Sequence, residues 1–123
     1  MAHYNKKIRA YRAGLWAETL AALYLQAAGY RIVKRRYKCR AGEIDLIARK
    51  GRVLVIIEVK ARRNMRDALE AVSPRNRQRV ERAALVFLSQ NPFYQDHDMR
   101  FDILALALPF SIQHLDNAWQ ARS

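Results

Sequence analysis

Apolar residues along this chain recur in two rhythms, and the changes between them mark out the elements. From about Ile8 to Ala28 the sequence is dense in Ala, Leu, Arg and Glu, all strong helix formers, and Gly29 stands where a helix-ending glycine belongs. This spacing predicts a long first helix, preceded by a loose, polar and basic arm over residues 1–7. Period two then takes over. "YRIVKRRYKCR" (30–40) and "GEIDLIARK" (42–50) read as strands, and Arg49-Lys50-Gly51-Arg52 reads as a hairpin turn into a third strand, "GRVLVIIEVKARR" (51–63). Three strands with such short connections predict an antiparallel meander. The helical rhythm returns at Ser73-Pro74, a serine cap followed by a proline suited to the first helical position. It continues to about Ser89, with Val80, Ala84, Phe87 and Leu88 on one face and Arg75, Arg79 and Arg82 on another. "NPF" (91–93) stops it. "MRFDILALAL" (99–108) reads as a fourth strand ended by Pro109, and "SIQHLDNAW" (111–119) as a short edge strand. The order α-β-β-β-α-β, plus that last strand, predicts one α/β or α+β domain over residues 1–123, a sheet with helices packed on it.

The third strand contains a conflict. Val53 to Ile57 are apolar on both faces, which suits a central strand, yet Glu58 and Lys60 follow on the face of Leu54 and Ile56. An ion taken out of water costs several kcal/mol unless it is paired or coordinated. Same-face neighbours lie roughly 7 Å apart, so a Glu58–Lys60 ion pair and a functional role explain this strand equally well. The second strand breaks the tie. Asp45 sits among Ile44, Leu46 and Ile47, and aspartate is a poor strand residue. If strands two and three form a hairpin about residues 49–52, Asp45 lies across from positions 56–58 and approaches Glu58. Adjacent carboxylates repel and raise a pKa; a divalent cation removes that penalty, and magnesium or manganese prefers such oxygen donors. Glu18 adds an acid on the first-helix stripe of Leu15, Ala21, Ala22 and Leu25, which should face the sheet. By itself a helix glutamate is more often a surface group paired with an arginine such as Arg12. An acid, then acid-X-lysine on the next strand, suits metal-assisted hydrolysis of a phosphodiester. The carboxylates hold the metal, and the lysine holds or helps to deprotonate the water.

Charge sharpens the choice of partner. Lysine and arginine number 23 against 11 acids, a net charge of +12, which suggests a polyanion, nucleic acid or an anionic surface. Arg62, Arg63 and Arg66 follow Lys60 directly; Arg75, Arg79 and Arg82 share a helix face; Lys34, Arg35, Arg36, Lys38 and Arg40 lie along the first strand. Singly each is a solvated surface charge. Together they make DNA or RNA the leading partner, contacted through phosphates and read by shape rather than by base. The single cysteine, Cys39, allows no internal disulfide and fits a reducing cytosol. No signal-peptide pattern or membrane-length apolar run is visible, so a soluble cytoplasmic protein without a membrane partner is expected.

"GEIDLIA" followed by "VIIEVKARR" resembles the YraN-like family of small bacterial proteins, which is grouped by similarity with the restriction-endonuclease-like, PD-(D/E)XK, superfamily and with archaeal Holliday junction resolvases. The resemblance runs through nearly the whole chain, including "AETLAALYLQAAGYRIVKRRY", "AVSP" and "RFDIL". It implies a restriction-endonuclease-like core with a mixed sheet and a magnesium-dependent endonuclease acting on DNA, with branched DNA as a candidate substrate. Manganese is expected to substitute. In it Asp45 matches the first acid, Glu58 the second, Lys60 the lysine, and Glu18 the N-terminal helix acid of the resolvase-like branch. The backbone carbonyl of Val59 would be a further metal ligand. Ile44 replaces the proline of the superfamily's name, and Arg36 stands where asparagine is expected in many relatives. Cutting two strands of a junction would suit a symmetric homodimer. A binding module that keeps the fold without catalysis, and a basic protein of membrane surfaces or ribosomes, are the alternatives. Asp102 is read as structural, tied to Arg100. Glu43 is a weak outer-site candidate, "D-H-D" around His97 a solvated loop, and His3 and His114 are isolated.

Overall fold

The computed structural model describes residues 2–71, 73–107 and 111–120, with side chains from Gly14 onward. Helix α1 (Ala2–Ala27) starts well before Ile8, so residues 2–7 continue the helix where a loose arm was expected. Gly29 takes φ +94°, and the Tyr30 N–H donates to the Leu25 carbonyl at 2.9 Å, the glycine-closed helix end that the sequence predicts. Strands β1 (Arg31–Cys39), β2 (Gly42–Lys50) and β3 (Val53–Arg62) form the expected antiparallel meander. A short helix, α2 (Met65–Glu70), follows, capped by the Asn64 side chain, which accepts from the Asp67 N–H; the hydrophobic pattern does not anticipate it. Helix α3 (Pro74–Gln90) starts at Ser73 as predicted, and a single 3-10 turn spans Pro92–Tyr94. Strand β4 (Asp98–Ala107) returns parallel to β3, and β5 (Ser111–Trp119) pairs antiparallel to β4. Pro109, expected to end the fourth strand, lies outside the described residues.

The result is a mixed sheet of five strands in the order β1-β2-β3-β4-β5, covered by α1 on one face and α3 on the other. Ala17, Ala21, Ala22 and Leu25 of α1 pack on Leu46, Val55, Ile57 and Leu104; the alanines let the helix come close. Val80, Ala83, Ala84 and Phe87 of α3 pack on Ile47, Leu54, Ile56 and Phe101, while Leu88 is only half-buried. Leu54 to Ile57 are buried on both faces because β3 is central, and each such side chain contributes about 1.5–3 kcal/mol. No described helix is long and apolar enough to cross a membrane.

Asp102 is fully buried. It accepts from Arg100 at 2.9 and 2.8 Å and from the Asn117 N–H at 2.9 Å, and it lies 2.7 Å from His114 Nε2. Burial pushes its carboxyl up, but the bonds from His114, Arg100 and Asn117 outweigh burial and hold it below the usual range. The tie to Arg100 is the expected one, and Asp102 joins β4 to β5. His114 is not isolated: it is one of the residues Asp102 ties together. The side chain of His3 lies outside the described residues.

Candidate functional site

The β2–β3 pairing runs from Lys50↔Val53 to Leu46↔Ile57 and stops one step short of Asp45 and Glu58. The strands part here, and a side chain replaces the ladder: Asp45 Oδ2 accepts the Val59 N–H at 2.8 Å. Across from Asp45, between the pairs Arg35↔Leu46 and Tyr37↔Ile44, Arg36 adopts φ +53°. That is the left-handed region, which costs an arginine about 1–2 kcal/mol. Asparagine adopts it more readily, which gives a physical sense to the asparagine expected there.

Glu58 is 5% and Glu18 6% exposed. Lys60 Nζ lies 3.8 Å from Glu58 Oε2, so the ion pair considered for this strand exists. Glu18 faces Arg35 Nε at 3.5 Å and Arg36 Nε at 3.6 Å, and its Oε1 has no hydrogen bond. The side chain of Arg12, the other partner considered for Glu18, lies outside the described residues. Burial is the main reason that all three carboxyls are raised. Glu58 is pushed up to about 8 by burial and by Asp45, against Lys60. Burial raises Asp45 against the Val59 N–H and Lys60, and it raises Glu18 against Arg36, with Asp45 adding to the rise.

These side chains are divided between two cavities that meet at Asp45 and Lys60. A cleft of about 460 Å³ between α1, β1 and the parting strands is lined by Glu18, Arg36, Lys38, Asp45, Lys60 and Arg62. A recess of about 80 Å³ on the α3 side is lined by Asp45, Glu58, Lys60, Asn76 and Arg79. Glu43 borders both. Glu18 and Glu58, anticipated in one cluster, therefore lie on opposite sides of Asp45. Among the basic residues, Arg36, Lys38 and Arg62 reach the cleft and Arg79 the recess, but Arg40, Arg63, Arg66, Arg75 and Arg82 line neither; Arg66 pairs with Glu70 at 3.3 Å. Asn76 is the residue that sequence reasoning missed. It follows the Ser73 cap by three positions, its N–H donates to Ser73 Oγ at 3.2 Å, and the cap alone could have directed attention to it.

Among the described residues no group of three Asp, Glu, His or Cys side chains could by itself hold an ion. The donors that do meet are hard oxygens: the carboxylates of Asp45 and Glu58, desolvated and repelling each other, with Glu18, paired with Arg35 and Arg36, across the cleft. Such a set fits magnesium, which takes one or two protein carboxylates and completes its shell with water and substrate phosphate.

A model of "Uncharacterised protein family UPF0102" matches residues 17–106, a span that holds every acid and lysine named above. The chain is 49% identical over 113 residues to a UPF0102 protein of Parvibaculum lavamentivorans, covering 92% of this chain and 85% of that protein. It is 46% identical over 116 residues to a UPF0102 protein of Rhodopseudomonas palustris, strain BisA53, covering 94% and 89%. A third relative, UPF0102 protein mlr4633 of Mesorhizobium japonicum, is 46% identical over 116 residues, covering 94% and 92%.

Proposed function

This chain belongs to the UPF0102, or YraN, family, and from the chemistry of its parted strands we propose that it is a magnesium-dependent endonuclease that hydrolyses DNA phosphodiester bonds on a restriction-endonuclease-like core. The observation that carries the reading is the end of the β2–β3 hairpin, where Asp45 and Glu58 are desolvated together beside Lys60; Glu58 opens onto the recess, and Asp45 and Lys60 onto both the recess and the arginine-lined cleft. A protein gains no stability from keeping repelling carboxyls in such a place. A cation site explains their presence.

Asp45 and Glu58 hold the magnesium with the carbonyl of Val59, and Glu18 supplies or orients a further ligand; manganese substitutes. When bound, the ion supplies charge stabilisation at the phosphate and a more acidic water. Lys60 is mostly shielded yet borders both cavities, so its ammonium can hold the attacking water or meet charge developing on the phosphate. Arg36, Lys38 and Arg62 bind the phosphodiester backbone in the cleft. Contacts of this kind position a strand without reading its bases, which suits an enzyme selective for branched structure. A homodimer would place two such sites on a junction, and the reading places the protein in the cytoplasm.

A second reading is a binding module on the same fold, and the Glu58–Lys60 ion pair favours it. Labelled four-way junction, flap, duplex and single-stranded DNA, incubated with magnesium, manganese or EDTA, separate the two. Metal-dependent cutting lost in Glu58→Ala and Lys60→Ala, with binding retained, is the expected result. Salt-sensitive binding without cutting, unchanged by either substitution, supports the binding module and leaves the ion pair as structure.

A further inference from the structure

At the end of β2 remote from Asp45 lies a second groove, of about 410 Å³, whose walls include Arg31, Arg49, Phe93 and Tyr94. Phe93 is 66% exposed, an unusual position for a phenylalanine on so polar a surface. The 3-10 turn that carries it is braced. The Tyr94 ring stands edge-on to it at 5.0 Å, and His97 packs on both rings at 5.4 Å. His97 in turn lies 2.8 Å from Asp96, which pairs with Arg52 at 2.9 Å. The guanidinium of Arg49 sits 5.9 Å from the Phe93 ring centre. The "D-H-D" segment is thus the support of an aromatic platform rather than a freely solvated loop.

A groove that joins an exposed, rigidly held ring to arginines has the chemistry of base stacking with phosphate neutralisation. The groove and the cleft share no described wall residue, but edge strand β1 passes both. Edge strand β1 begins at Arg31 in the groove and presents Lys34, Arg35, Arg36 and Lys38 along its exposed length, the last two lining the cleft. Arg31 and Lys38 are about 23 Å apart along the strand.

We propose that the Phe93 groove binds an unpaired base of single-stranded DNA, whose backbone follows β1 into the cleft. The proposal rests on the nuclease reading for its substrate and adds the requirement for an unpaired segment beside the cut. A fully paired duplex buries its base faces and has none to offer Phe93.

The test measures binding in EDTA, so that it is independent of cleavage. The probes are fluorescent single-stranded DNA, blunt duplex, and single strands carrying 2-aminopurine, whose fluorescence is quenched on stacking. Phe93→Ala is expected to weaken single-strand binding on the order of tenfold and to remove the quench. Duplex binding should not change, and Phe93→Trp should retain both signals. A thermal melt controls for folding. Equal effects on both substrates, or a quench unaffected by Phe93→Ala, overturn the groove while leaving the nuclease intact. If no DNA binds the wild type at all, both readings fall together.

Discussion

Glu58 is held where its charge is unwelcome, and that has a consequence for stability. Its carboxyl has an ordinary value of 4.5 and is raised to about 8 in the fold. The folded state therefore favours the protonated form. The contribution of Glu58 to stability is full below its unfolded value and is lost as pH rises through about 8. Asp45 and Glu18 are raised in the same direction. In EDTA, melting temperature should fall between pH 5 and 8.5, and Glu58→Gln, neutral throughout, should flatten that fall while abolishing cleavage. Magnesium should restore part of the wild type's loss. Equal slopes in wild type and variant would show that Glu58 carries none of the burial cost. Asp45, Glu58 and Lys60 were legible as a group because strand alternation and hairpin register are local rules. The φ of Arg36 was not, because it depends on where β1 meets the parting of β2 from β3. Nor was the separation of Glu18 from Glu58, which follows from the two faces of a sheet whose helices are fixed by distant residues.

At the scale of elements, the recess depends on one close approach. A Cβ on Gly42, at the start of β2, would stand 2.5 Å from the carbonyl oxygen of Arg79 in α3. Gly42→Ala must push the helix outward, because backbone atoms on both sides cannot yield as a flexible side chain does. The expected cost is about 1–3 kcal/mol in urea denaturation, with a larger loss of cleavage than stability alone predicts, since Asn76 and Arg79 move away from Glu58. A variant as stable and active as the wild type would show that α3 can shift freely. The α3 start at Ser73 is legible because a serine cap before proline is a strong signal, whereas the expected edge strand β5 is mostly exposed and carries no alternation to mark it. Helix α2 was missed because six residues are too few to establish a helical period; its signal is the Asn64 cap. The start of α1 was placed late because the polar residues 2–7 lack an apolar stripe, and helix propagation from Ile8 carries through them.

At the scale of the molecule, a net charge of +12 would make the proposed association with DNA a counterion-release equilibrium. Contacts to some five phosphates predict a slope of log K against log salt of about −4, and Glu58→Ala should leave it unchanged. A slope near zero would remove the cleft and the β1 edge as phosphate contacts. The sheet's mixed topology has another effect, one that belongs to synthesis. The parallel partner of β3 is β4, which follows only after α2 and α3. As the chain leaves the ribosome, the β1–β2–β3 meander can form at once, yet β3 then shows an unpaired edge rich in Val and Ile, an invitation to another nascent chain. Glu58 and Lys60 stand at the end of that edge. Charges so placed discourage a neighbour from adding a strand, so the residues assigned to catalysis also act as gatekeepers while the protein is still incomplete.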